Sequence, residues 1–365
     1  MIASAQMQMK GARVTIMAGG TGGHVFPAMA VAERLTELGC SVSWVGTARG
    51  IENRVVPEAG YELNLIPISG LRGKGIKSLL LAPFKLCGAL ISSLKLLAQL
   101  KPHLVLGFGG FVAGPVGLAA RLRGDALAIH EQNARAGTTN IVLARWADRV
   151  MTGFPNVFEK ADYVGNPIRS NMRAKPNLHN SAEDAAPKLN ILVLGGSQGA
   201  RSLNRMVPSA LSALGEKHSL NIRHQCGSKW LDETQQAYSQ SAIEVDVIPF
   251  IDDMSQAYQW ADLVVCRAGA MTVAEITFMG LPALFIPFPY AIDDHQTANA
   301  QWLCDLGGAE LMQETEITEA SLIEKIDSLI SEGRLTNIAN IAASAAKPQA
   351  TEHIVDICKE LMNVH

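Results

Sequence analysis

The side chains best suited to chemistry in this chain lie beside two glycine-rich stretches. Gly19-Gly20-Thr21-Gly22-Gly23-His24 and Gly195-Gly196-Ser197-Gln198-Gly199-Ala200 each follow a short apolar run. Where a strand passes through glycines into a helix, backbone N–H groups approach a phosphate closely, and the helix dipole adds about half a positive charge at that end. Neither stretch has the spacing of a dinucleotide fingerprint or the Gly-Lys-Ser/Thr of a P-loop, so a structural turn and a phosphate site are both open readings. His24 follows the first stretch. The dipole at a helix amino terminus disfavours positive charge, so an imidazole there is suited to accept a proton; a loop or N-cap histidine without chemistry is the alternative.

A second set of polar residues sits at other strand ends. Cys266-Arg267-Ala268-Gly269-Ala270-Met271-Thr272-Val273-Ala274-Glu275 joins an apolar run to a helical one. A diphosphate over that helix start, with Glu275 accepting from ribose hydroxyls, is one reading; Thr272 and Glu275 also have the spacing of a capping box. His130-Glu131-Gln132-Asn133 follows Ala126–Ile129, which puts these groups at a strand's carboxyl end, where open α/β sheets bind ligands; a loop network is the alternative. Asp293-Asp294-His295-Gln296 is not expected to hold a metal, because adjacent side chains on one loop rarely converge on one ion. Asp252-Asp253 is expected to start the helix that contains Tyr258 and Trp260.

The elements that must position these groups follow from hydrophobic patterning. Val14–Ala18, Ser41–Val45 and Leu104–Leu106, then Asn190–Leu194, Val245–Pro249, Leu263–Cys266 and Ala283–Pro287, alternate with helical patterns such as Pro27–Leu38 and Ser202–Leu214. That rhythm predicts parallel sheets with crossover helices. A chain of 365 residues has room for about two domains, and both halves open with the same device, so two doubly wound α/β domains in tandem are expected. Polar Arg173–Lys188 connects them, and a last helix carrying Ile354, Ile357, Cys358 and Leu361 on one face is expected to pack back on the first domain. With 48% hydrophobic and 18% charged residues the composition excludes disorder. Six dispersed cysteines with no C-x-x-C pair give no zinc site and fit a reducing compartment.

Charge is unevenly spread. From Leu63 to Gly124 there is no Asp or Glu, but there are Arg72, Lys74, Lys77, Lys85, Lys95, Lys101, Arg121 and Arg123, while the rest of the chain has 23 basic against 34 acidic residues. Ser69–Lys77 precedes a run rich in large apolar residues, including Leu79, Phe84, Leu86 and Ile91. Cations flanking an apolar face suit a segment resting among anionic headgroups; a core-facing helix with a solvated charged side is the alternative. Pro83, Lys85 and Lys95 interrupt the stretch as a spanning helix, and nucleic acid is disfavoured because aromatic residues are not interleaved with the cations.

These motifs, read in order with Ser69-Gly70-Leu71-Arg72-Gly73-Lys74-Gly75, Gly107-Phe108-Gly109-Gly110-Phe111, Val164-Gly165-Asn166-Pro167-Ile168-Arg169, Phe250-Ile251-Asp252-Asp253-Met254 and His295-Gln296, closely resemble the MurG family of peptidoglycan N-acetylglucosaminyltransferases. The resemblance runs from about Thr15 to Asn299. It implies two Rossmann-like domains facing a cleft, the glycosyltransferase B fold, with residues 1–168 binding acceptor and membrane, 169–347 binding the donor, and 348–365 returning to the first domain. It implies inverting transfer of N-acetylglucosamine from UDP-N-acetylglucosamine to lipid I, giving lipid II, without metal or cofactor. The setting it implies is peripheral, on the cytoplasmic face of a bacterial inner membrane, with an anionic membrane surface and other cell-wall synthesis proteins as partners and no nucleic acid.

Carried onto this chain, the resemblance makes His24 the base for the muramoyl 4-hydroxyl, with Glu131 as supporting residue or second base. Ile251 would meet uracil through its backbone and Glu275 the ribose. Ser197, Arg169 and the turn Ala270, Met271, Thr272, Val273 and Ala274 would surround the donor diphosphate. Gln296 and Asn133 would contact sugar, and Thr21, Gly22 and Gly23 the acceptor diphosphate. The chain departs from the family at Ala274, often serine, and Met271, often leucine. Rival readings are a transferase using diacylglycerol or another lipid, a UDP-N-acetylglucosamine 2-epimerase, and a non-catalytic UDP-sugar-binding protein.

Overall fold

The computed structural model describes residues 9–68, 82–173, 188–196, 199–331 and 333–363. They form two compact units, Met1–Ser170 with Lys347–His365, and Asn171–Ala346. Each unit is built on its own parallel sheet.

In the first unit the strands are β1 (Arg13–Ala18), β2 (Ser41–Gly46), β3 (Glu62–Leu65), β4 (Leu104–Gly109), β5 (Ala126–Glu131), β6 (Arg149–Thr152) and β7 (Asp162–Tyr163). They lie in the order β3-β2-β1-β4-β5-β6-β7, all parallel. Alternating side chains of β1 serve two cores. Val14, Ile16 and Ala18 join a cluster with Leu35 and Val31 of the helix Gly22–Glu37, while Met17 joins one with Leu97, Val116 and Leu127. Burial on both faces is what makes the strands of a doubly wound sheet read as continuous apolar runs. Trp44 is fully buried on β2 and its indole N–H donates to the Ala18 carbonyl at 2.8 Å, fixing the point where β1 turns into glycine.

In the second unit β8 (Leu189–Leu194), β9 (Leu220–Gln225), β10 (Glu244–Ile248), β11 (Leu263–Cys266), β12 (Ala283–Phe285) and β13 (Glu310–Leu311) take the order β10-β9-β8-β11-β12-β13, again parallel. Strand order therefore reverses between β1 and β4 in one sheet and between β8 and β11 in the other. Such switch points open a crevice at the strands' carboxyl ends, the usual ligand site of open α/β sheets.

The last helix, Ala350–Asn363, buries Ile354, Val355, Ile357 and Cys358 in the first unit's core. Arg34 pairs with Glu352 at 2.8 Å and Arg149 with Glu360 at 2.5 Å across this contact. The basic Arg72, Lys74 and Lys77, and most of the polar connection Arg173–Lys188, fall outside the described residues. Among the described residues no helix is long and apolar enough to cross a membrane.

Candidate active site

The first glycine stretch sits at the first switch point. The patterning expectation started the helix at Pro27, but it begins at Gly22, with Thr21 extended at the N-cap. His24 is thus the third residue of the helix rather than part of a loop before it, and Pro27 lies inside, with no N–H to offer the Gly23 carbonyl. The turn is held from below by Glu52, fully buried at the start of the helix Glu52–Glu58. Its Oε2 accepts from Gly20 N–H at 2.9 Å, and its Oε1 from the backbone N–H and hydroxyl of Thr47 at 2.9 and 2.8 Å. A Cβ on Gly19, Gly46 or Gly50 would come within 2.6, 2.7 or 1.8 Å of that side chain. Glu52 was missed from sequence; its signal was an acid just beyond a strand end, between glycines that leave room for a carboxylate.

His24 is enclosed by the ends of β4 and β5. Gly109 has φ +95°, and a Cβ there would sit 3.1 Å from both Cε1 and Nδ1 of the imidazole, so glycine is required by conformation and by space. His24 Nδ1 lies 3.0 Å from Gln132 Oε1. Gln132 Nε2 is 3.1 Å from His130 Nδ1, and His130 Nε2 is 2.8 Å from the Gly165 carbonyl. Burial pushes the His130 imidazole down to about 4, so it is neutral at pH 7.

Sequence reasoning placed His130 and Glu131 beyond their strand. They instead end β5 itself, both buried, and only Gln132 and Asn133 follow it. Glu131 Oε1 accepts from Asn133 N–H and Nδ2 at 3.0 and 3.2 Å, and Oε2 from Gly137 N–H and Asn140 Nδ2 at 3.0 and 2.9 Å. Two donors on each oxygen fix the carboxylate in place within its loop. Of the two roles the resemblance implies for Glu131, these bonds suit the supporting one, since they tie down the loop carrying Asn133.

The second unit repeats the glycine device with different supports. Gly199 has φ +75° and approaches Cys226 so closely that a Cβ would lie 2.0 Å from its carbonyl oxygen. Gln225, at the end of β9, donates through Nε2 to the carbonyls of Gly196 and Pro249 at 3.0 and 3.1 Å, tying the glycine turn to the loop that carries Phe250 and Ile251. Ile251 is buried and Phe250 exposed. The Asp253 side chain caps the helix Met254–Trp260 by accepting from Gln256 N–H at 3.0 Å, as the sequence suggested for this pair.

At the second switch point the helix Ala270–Met279 starts from Gly269, with no side-chain cap and no acid in its first turn. Thr272 and Glu275 form no capping box. Glu275 is buried one turn further in and accepts from Tyr258 Oη at 3.1 Å. Arg267 pins this turn to its neighbours: it donates to the Ile286 and Pro287 carbonyls at 3.0 Å and to Ser202 Oγ at 2.9 Å, and pairs with Glu314 at 2.5 Å. Buried Asn299 donates to the Ala268 carbonyl at 3.1 Å. Gln296 Oε1 accepts from Phe288 N–H at 3.0 Å, which directs the donor end of the amide away from that backbone. Gln225, Arg267 and Asn299 brace the turns, and no local spacing marks such a role.

Residues 14–152 match the glycosyltransferase family 28 N-terminal domain and residues 190–357 the glycosyltransferase family 28 C-terminal domain. Over 362 residues the chain is 49% identical to the UDP-N-acetylglucosamine–N-acetylmuramyl-(pentapeptide) pyrophosphoryl-undecaprenol N-acetylglucosamine transferase of Pseudomonas putida, covering 97% of this chain and 99% of that one. The chain belongs to the MurG family. A crystal structure of Acinetobacter baumannii MurG is 43% identical, with a TM-score of 0.84, over 96% of this chain and 99% of that one. A putative UDP-N-acetylglucosamine 2-epimerase from Listeria monocytogenes, 15% identical with a TM-score of 0.67 over 97% and 98% of the two chains, shares the fold alone.

With two parallel-sheet α/β domains, this MurG family member has the glycosyltransferase B fold. Thr21, Gly22, Gly23, His24, Glu131 and Asn133 gather at the first unit's switch point, and Ala270, Met271, Thr272, Val273, Ala274 and Glu275 at the second's. Arg169, grouped from sequence with the donor domain, belongs to the first unit, where its guanidinium lies 4.6 Å from the centre of the Phe26 ring. Ser197 lies outside the described residues.

Proposed function

We propose that this chain transfers N-acetylglucosamine from UDP-N-acetylglucosamine to the 4-hydroxyl of the muramoyl sugar of lipid I, giving lipid II for peptidoglycan. The observation that carries the reading is near full-length identity to a transferase named for that donor and acceptor. It is supported by proton-accepting and anion-binding groups beside separate switch points.

In the reaction the acceptor oxygen forms a bond to C1 of the donor sugar as the bond from C1 to the diphosphate oxygen breaks, with inversion. His24 takes the hydroxyl proton through Nε2. Charge developing on UDP is met by backbone N–H groups of Ala270–Ala274, by the turn that includes Ser197, and by Arg169, an electrostatic stabilisation fixed before the reaction begins. Glu275 accepts from the ribose hydroxyls, the Ile251 backbone meets uracil, Gln296 and Asn133 hold sugar, and Thr21, Gly22 and Gly23 border the acceptor diphosphate.

The acceptor is a lipid, and the first unit has a surface suited to it. Phe84, Leu86 and Ile91 are exposed on the helix Ala82–Leu100 with Lys85 and Lys95, and Leu122, Ile141, Val142 and Trp146 are exposed on Ala113–Arg123 and around Thr138–Leu143. Apolar side chains rimmed by cations bind anionic headgroups peripherally, so the enzyme works from the cytoplasmic membrane face. The test is transfer of radiolabelled N-acetylglucosamine to a short-chain lipid I analogue. Formation of the disaccharide by wild type, nearly absent in His24→Ala, supports the reading; UDP-N-acetylglucosamine binding without transfer to this acceptor overturns it.

A further inference from the structure

We infer that Gln132 and His130 are positioning residues that hold His24 in its Nδ1–H tautomer, leaving the Nε2 lone pair for the acceptor hydroxyl. The inference rests on His24 being the base, and it assigns work to two buried side chains that the proposed mechanism does not otherwise use.

The polarity of this hydrogen-bond chain is set at its far end. A backbone carbonyl only accepts, so His130 Nε2, 2.8 Å from the Gly165 oxygen, carries a hydrogen and donates it. His130 is fully buried and neutral, hence its Nδ1 is bare and needs a donor. Gln132 supplies one: its Nε2 lies 3.1 Å from His130 Nδ1 and 3.1 Å from the His130 carbonyl. Turning the amide over would set its oxygen against those two acceptors and strand both, at the cost of leaving buried polar groups unsatisfied.

The orientation of Gln132 is thereby fixed, with Oε1 toward His24 at 3.0 Å. An amide oxygen only accepts, so the hydrogen between them is on His24 Nδ1. In neutral imidazole one nitrogen carries the hydrogen and the other is the acceptor, which makes Nε2 the basic atom. Had the hydrogen been on Nε2, the nitrogen facing substrate would be unable to take a proton.

The surroundings keep this arrangement from relaxing. Gln132 is 1% exposed, so water has little access to replace either partner. Asn166 Nδ2 donates to the Gln132 carbonyl at 3.0 Å, holding the backbone, while the bare Cα of Gly109 lets the imidazole ring approach β4.

The test combines ¹⁵N-histidine spectra with kinetics. In wild type at alkaline pH, the His24 signals, assigned by their loss in His24→Gln, are expected to show a protonated Nδ1 and a bare Nε2. Gln132→Met removes both ends of the amide at similar volume; it should give mixed His24 tautomers and a kcat lowered by about 10–100-fold, with KM for both substrates nearly unchanged. A protonated Nε2 in neutral wild type overturns the inference without recourse to any variant. An unmixed Nδ1–H signal and unchanged kcat in Gln132→Met also overturn it. Full activity in His24→Gln would instead overturn the assignment of His24 as base, and with it the purpose of the chain, while the wild-type spectrum would still report the tautomer.

Discussion

The strand-end turns of the two units are both rich in glycine and differ in the side chains built around them. At the end of β1 the turn leads to an imidazole at the third helical position, supported by Glu52, Gln132 and His130. At the ends of β8 and β11 the side chains around the turns, Gln225, Arg267 and Asn299, donate to carbonyls of the turns and adjoining loops, and Arg267 also bonds Ser202 and Glu314. Each unit also buries a neutral histidine near its turn. His130 orients another side chain that faces the site, whereas His224 is bonded to Tyr238 at 3.0 Å and Asn204 at 3.1 Å, and Asn204 to the Cys226 carbonyl beneath Gly199. In the function proposed above, one scaffold thus serves a proton acceptor in one unit and an anion site in the other.

Removing the proton acceptor should separate the two most sharply. His24→Ala is expected to lower kcat by about 10²–10⁴-fold, the usual contribution of general-base catalysis, while UDP-N-acetylglucosamine binding measured by calorimetry stays within about twofold of wild type. A parallel loss of donor affinity would mean that the histidine acts on the donor, and the division of labour between the turns would fail.

The buried histidines give a second contrast through pH. Burial lowers His130 to about 4 and His224 to about 3, below the ordinary value near 6.5. Between those limits the unfolded chain binds more protons than the folded one, so stability is complete above pH 6.5 and is lost as pH falls. The His130 contribution is lost by pH 4, at about 3 kcal/mol, while that of His224 continues to be lost toward pH 3. Urea unfolding from pH 7 to pH 3 should show His130→Gln flattening the slope from about pH 6.5 to 4, and His224→Gln flattening it from about pH 6.5 to 3. Slopes unchanged by either substitution would mean that the histidines are not held neutral.

A smaller effect is expected at the donor side. Glu275→Gln keeps shape and the bond from Tyr258 but removes the charge, and a hydrogen bond to a charged group contributes about 1.5–3 kcal/mol. The Kd for UDP should rise by roughly 10–100-fold, with the KM for the lipid acceptor unchanged. Equal weakening of both substrates would remove Glu275 from the ribose.

How much of this was legible beforehand depended on whether a feature is local. Val14–Ala18 and Leu263–Cys266 announce strands because both faces of each sheet are buried, and the glycine turns that follow are visible for the same reason. The short outer strands Glu62–Leu65 and Asp162–Tyr163 gave no signal, being half exposed and only a few residues long. The first helix starts ahead of the Pro27 that patterning suggests, because the chain already turns at Gly22. The role of Glu131 comes from the family resemblance, and its bonding partners are not legible in its neighbours. Its true partners, Gly137 and Asn140, lie six and nine residues on and become neighbours only when the loop folds back. Likewise Arg267 reaches Ser202 and Glu314 from remote parts of the chain, a convergence that spacing does not encode.

The smallest expected effect concerns which unit meets the membrane. Phe84 is 76% exposed at the start of the helix Ala82–Leu100, with Lys85 beside it and Ile91 two turns on. Burying one large apolar side chain contributes about 1.5–3 kcal/mol when complete, and insertion among headgroups is partial. Phe84→Ser should therefore weaken cosedimentation with phosphatidylglycerol vesicles by several-fold, up to about tenfold. Phe250→Ser, at an exposed aromatic of the second unit, should leave vesicle binding unchanged. Transfer to a water-soluble acceptor analogue should be untouched by Phe84→Ser, because the exposed helix carries none of the groups that hold His24. If the two serine variants lose vesicle binding equally, attachment is not confined to the first unit, and the polarity that assigns lipid to one turn and nucleotide to the other would have to be sought in the turns alone.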